Sequence, residues 1–195
     1  MAAYDMINDF WDSLPGEWVG EQYCRIRDGA GRTDEQLDRL EAQCGFRLPT
    51  LYREQFKVQN GGYPKRTNFA DPTGKAYVGS YRALYEEGDY AVFDDACLSH
   101  LTDRYFSMRE WLHDIWNDEE IAENLSGWDV EKLVILSFMS GHSLLCLDYG
   151  YRKGTHYDEP QVVCIETEGF EEELRVPTYE AFVGGLVVRE ENDED

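Results

Sequence analysis

The sequence predicts an α+β domain with a central, largely antiparallel sheet flanked by helices, and three observations lead there. Segments with helical apolar spacing and capping signals fill the first part of the 195-residue chain. Three strand-like apolar runs, "KLVILSF", "SLLCLDY" and "PQVVCIE", gather in the last third. A closing amphipathic segment, "TYEAFVGGLV", follows them. With 42% hydrophobic residues the chain is too apolar for disorder, and its length suits a single domain at 1–188. The acidic end "REENDED", 189–195, is expected to be a disordered tail.

The elements follow in order. "YDMINDFWDSLPG" reads as a short helix presenting Tyr4, Ile7 and Trp11, closed by Pro15 and Gly16, with the Gly-rich turn "RDGAGR" after it. In "TDEQLDRLEAQCG", Thr33 and Gln36 form a capping box, Leu37, Leu40 and Cys44 form the apolar stripe, and Gly45 ends the helix. In "LPTLYREQFKVQNGG", Pro49 suits the first helical position because its φ is fixed and it lacks an N–H. Leu51, Tyr52 and Phe56 then share one face. Asn60, Gly61 and Gly62 can supply the left-handed backbone that stops the helix.

The stretch "YPKRTNFADPTGK" reads as a loop, and "AYVGSY" and "YAVF" as short strands or edge pieces. "SMREWLHDIWNDEEIAENL" opens with a second capping box, Ser107 and Glu110, and breaks into two helical pieces near Asn117. "LVIL" does not alternate, so its strand is expected to be covered on both faces. "MSGH" is a hairpin turn signal joining the first two strands. Pro177 and Thr178 start the last helix, whose core face is Tyr179, Phe182, Val183 and Leu186.

Charge narrows the functional classes. Forty Asp and Glu against 18 Lys and Arg give a formal net charge of −22. Direct nucleic-acid binding and anionic membrane surfaces need the opposite sign. A field of this sign steers a basic protein instead, although solubility alone could account for it. The N-terminus lacks a signal-peptide n-region and no apolar run is long enough to span a bilayer, so a cytoplasmic chain is expected. Its five cysteines, Cys24, Cys44, Cys97, Cys146 and Cys164, fit neither a zinc site nor a disulfide framework and read as small buried hydrophobes.

Catalytic patterns are missing from the sequence. His100, His113, His142 and His156 lack metal-ligand spacing, and His142 beside Ser143 would point to the opposite face of a strand. No metal and no cofactor are expected. Asp148, closing "LLCLD", reads as a carboxylate capping a turn. Acids cluster at Glu86, Glu87 and Asp89, at Asp94 and Asp95, at Asp118, Glu119, Glu120 and Glu123, and from Glu166 to Glu173. Tyr85, Tyr90 and Trp116 stand beside two of these clusters. Acids interleaved with aromatics suit a protein-binding surface, so Glu86, Glu87, Asp89, Asp94, Asp95, Asp118, Glu119 and Glu120 are the candidate partner contacts.

The stretch "LDRLEAQCGFRLPTLYREQFKVQNGG" resembles the signature of the SUKH superfamily, the Smi/Knr-type domain. Its elements map onto Glu41, Gly45, Leu48, Pro49, Tyr52, Asn60 and Gly61, with Asp148 as the acid ending a sheet strand. The matching parts run from about Thr33 to Gly62 and from Leu133 to Val187, and the middle, 63–132, shows no family pattern. The resemblance implies an α+β fold and a non-enzymatic role. Bacterial members of that superfamily largely serve as immunity proteins that neutralise toxins, often nucleases; others are intracellular regulatory scaffolds. The expectation is therefore an immunity protein, a monomer or weak homodimer, that binds a basic toxin. The alternative is a scaffold or adaptor with no toxin partner.

Overall fold

The computed structural model describes residues 4–11, 31–59, 64–71, 74–77, 108, 112, 116–139, 143–166 and 169–188. Helix α1, Asp34–Cys44, begins with the capping box read from the sequence: the Thr33 hydroxyl accepts from Gln36 N and the Gln36 side chain accepts from Thr33 N. It ends at Gly45, whose left-handed φ of 77° lets its N–H donate to Glu41 O at 2.9 Å. Helix α2, Thr50–Val58, buries Leu51, Tyr52 and Phe56 as the spacing predicts, and Gln55 with them.

The start of α2 differs from expectation. Pro49 is the cap rather than the first helical residue, and its carbonyl accepts from Arg53 N at 3.0 Å. The fixed φ of proline serves either position. At the other end Gln59 is extended, at φ −151°, and closes the helix; Asn60, Gly61 and Gly62 lie outside the described residues.

Ahead of α1, residues 4–11 make one turn rather than the short helix expected to present Tyr4, Ile7 and Trp11, whose closing Pro15 and Gly16 lie outside the described residues. Asp5 Oδ1 accepts from Ile7 N and Asn8 N, and the chain then extends. The Phe10 carbonyl accepts from Lys65 N, and Trp11 bridges Pro64. Phe10 and Trp11 are both buried, and helical spacing does not anticipate two adjacent core residues.

Strands β1, Asn68–Asp71, and β2, Gly74–Tyr77, form an antiparallel hairpin. The first lies within the stretch read as a loop. Tertiary contacts override the weak local pattern there: Phe69 stacks on Phe182 at 5.1 Å, and Asn68 exchanges backbone hydrogen bonds with Val187. Helix α3, Asp118–Asn124, starts at the break expected near Asn117. A short 3-10 turn, Val130–Lys132, leads into the main sheet.

That sheet is antiparallel throughout, in the order β3, Leu133–Met139, β4, Ser143–Asp148, β5, Gln161–Glu166, and β6, Glu172–Val176. The sequence reading missed β6 because its acids resemble a solvated run, although Leu174 and Val176 alternate into the core. Helix α4, Tyr179–Gly185, follows, with Thr178 as its cap.

Both sheet faces are covered, as "LVIL" requires. Val134, Leu136, Leu145, Leu147, Val162 and Leu174 meet α1, α2, α4 and the N-terminal turn. Leu133, Ile135, Leu144, Cys146, Val163 and Ile165 meet Met108, Leu112 and Leu125 on the other side. Each fully buried aliphatic side chain contributes about 1.5–3 kcal/mol relative to exposure. Cys146 and Cys164 are buried in these two layers, consistent with the hydrophobic role expected of them. The side chain of Cys44, together with Cys24 and Cys97, lies outside the described residues.

Candidate partner-binding surface

Helix α3 concentrates negative charge at a helix start. Its first turn is Asp118, Glu119 and Glu120, all exposed. Asn117 Oδ1 accepts from Glu119 N and Glu120 N, and Glu120 reaches back to accept from Asn117 N at 3.0 Å. Carboxylates here complement the positive end of the helix dipole, so they stabilise α3 while facing solvent. The residues between Trp116 and Lys132 include six acids and no Lys, Arg or His.

A row of rings borders this helix. Trp116 lies 5.0 Å from Phe170, Phe170 packs edge-on against Trp128 at 5.7 Å, and Trp128 meets Tyr151 at 4.4 Å. Backbone pairing holds Trp128 in place, with Asp129 N donating to Tyr151 O and Lys153 N to Gly127 O. Phe170 sits in the β5–β6 hairpin at φ 54°, a left-handed backbone costing a bulky residue about 1–3 kcal/mol. Contacts with both tryptophans offset that strain. Spacing along the chain gives no hint of Phe170, because the row draws on three separate segments.

Tyr151 joins the row to a half-buried charge cluster. Arg175 forks onto Glu172, with Nη2 to Oε2 at 2.6 Å and Nε to Oε1 at 2.9 Å. It also donates to Asp148 Oδ2 at 2.8 Å and to Gln161. Asp148 is buried, and its other oxygen accepts from Gly150 N and Tyr151 N. The turn-capping role read from the sequence holds, with an ion pair added. Gly150, at φ 108°, lies so close to the Thr155 backbone that a Cβ would stand 2.6 Å from Thr155 O. Burial opposes the Glu172 charge, but hydrogen bonds from Arg175 and Tyr151 and the nearby guanidiniums hold its pKa below the ordinary carboxylate value. Burial and the Glu173 carboxylate push the Cys164 thiol up to about 12, so it is not poised as a thiolate.

The motif residues on the opposite face form a clamp. Glu41 Oε1 accepts from Leu48 N at 2.8 Å, and its Oε2 pairs with Arg53 Nη1 at 2.9 Å, fastening α1 to the start of α2. Arg53 also reaches Asp34 and Asp38. Leu48 and Tyr52 are buried, and Gly45 supplies the left-handed turn between the helices. Gln55, which the sequence reading did not single out, donates to Met6 O and accepts from Tyr179 Oη, while its carbonyl accepts from Trp11 Nε1. No sequence pattern marks such a hub, since its partners are more than 40 residues away.

Among the acids read as partner contacts, Asp118, Glu119 and Glu120 come together on α3. Glu86, Glu87, Asp89, Asp94 and Asp95 lie outside the described residues. Among the described residues no group of His, Cys, Asp and Glu stands ready to hold a metal ion, and no helix is long and apolar enough to cross a membrane.

A four-stranded antiparallel sheet between helical layers, with a helix–Gly–Leu-Pro–helix clamp on one face, defines a small α+β domain of the Smi/Knr type. The model of the SMI1/KNR4 family (SUKH-1) matches residues 31–184, and the chain belongs to that family. The family includes immunity proteins, and its domains are generally non-catalytic. A search of curated proteins finds no match to the chain.

Proposed function

We propose that the chain is a non-enzymatic immunity protein that binds and neutralises a basic cognate toxin in the cytoplasm, with a nuclease the best fit. A nuclease must be basic where it grips phosphate, and this chain carries a formal charge of −22. The observation that carries the reading is the exposed first turn of α3, where Asp118, Glu119 and Glu120 face solvent beside a partly exposed tryptophan. Membership in a family that includes immunity proteins supports it.

The test is co-expression with the toxin-domain gene that adjoins the chain's own gene. Rescue of growth, lost when Asp118 and Glu119 are both changed to Lys, is the expected result. A locus with no such gene, or a toxin whose lethality is unaffected, contradicts the reading and favours a regulatory scaffold.

A further inference from the structure

Three rings of the aromatic row, Trp116, Phe170 and Trp128, are each partly exposed, while Tyr151 at the far end is buried. At that buried end the chain already shows what such rings accept. The guanidiniums of Arg152 and Arg175 lie 5.6 and 5.7 Å from the Tyr151 ring centre while both pair with Glu172. The exposed end has the same ingredients from the receiving side. Trp116 is followed within three residues by Asp118 and Glu119, and Trp128 directly by Asp129, whose Oδ2 lies 3.6 Å from Lys132 Nζ.

Charge complementarity selects the occupant. An acidic or purely apolar segment would bring no countercharge to the exposed acids that open α3. A lysine ammonium is compact and strongly hydrated, so it pairs with the acids but gains less from the ring faces. A guanidinium is planar and weakly hydrated; it can stack on an indole and fork onto a carboxylate at once.

We propose that the surface formed by Trp116, Phe170 and Trp128, with Asp118 and Glu119 at its rim, docks an arginine-bearing segment of the partner protein. The inference rests on the basic-partner reading above and adds the contact surface and the residue it selects.

The test measures binding of two synthetic peptides of equal length, alternating Arg-Gly and alternating Lys-Gly, to the full chain at low salt. The Arg peptide is expected to bind about threefold more tightly or better. Trp116→Leu and Trp128→Leu should each reduce that preference, and D118K/E119K should weaken the Arg peptide most. E35K/E180K makes the same charge change on helices over the other sheet face, and should leave the preference intact. If a leucine variant melts early, the comparison of the two reversals decides. Equal affinity for both peptides, or equal effects of the two reversals, overturns the arginine surface while leaving a basic partner in place. Failure of both peptides to bind at low salt overturns both readings.

Discussion

Asp148 shows how much one carboxylate can organise. One oxygen holds the turn after β4 through two backbone N–H groups, and the other anchors Arg175 on β6. Arg175 in turn fixes Glu172, whose depressed pKa carries a consequence for acid stability. Its charged form is favoured by folding, so the stabilisation is present above the unfolded pKa, about 4.3, and is lost as pH falls through the lower folded value. Glu172→Gln should therefore lower stability at neutral pH and flatten the pH dependence below about 4.5. Urea midpoints of both proteins across that range check this; parallel curves would contradict it. The end-of-strand position of Asp148 is legible from "LLCLD", whereas Arg175 is not, because their pairing depends on β4, β5 and β6 lying side by side.

Elements with strong local signals were the ones the sequence disclosed. The capping box of Thr33, the break at Asn117, the Leu-Pro before α2 and the non-alternating β3 all act within a few residues, and each recurs in the structure. Elements defined by distant partners stayed hidden. Strand β1 exists because of Val187 and Phe182, the N-terminal extension because of Lys65 and Gln55, and β6 because β5 pairs with it. The aromatic row escaped for the same reason: Trp116 and Phe170 each lie beside an acid run that the sequence displays, but only the fold brings those distant segments together. Helix α2 offers the sharpest test at this scale. Phe56 is fully buried between Trp11 and Tyr52, with ring centres 5.5 and 4.4 Å away. Phe56→Ala should cost about 3–5 kcal/mol, read from chemical denaturation. A loss below about 1 kcal/mol would show that α2 is peripheral to the core.

Over the whole molecule, the sheet divides structural from interactive tasks. One face, with α1, α2 and α4, holds Glu41, Leu48 and Tyr52 of the family motif, and their side chains serve the fold. The other face ends in the ring row and the acidic start of α3, where side chains are left toward solvent. A net charge of −22 surrounds both. Long-range attraction of this kind acts on encounter, while short-range packing governs escape. The association rate of the purified chain with its cognate toxin, measured as salt is raised, separates steering by charge from a solubilising coat. We expect association to slow steeply between about 50 and 500 mM salt, as the Debye length shrinks, with dissociation changing much less. An association rate indifferent to salt would contradict a charge-steered encounter and leave the acids as a solubilising coat.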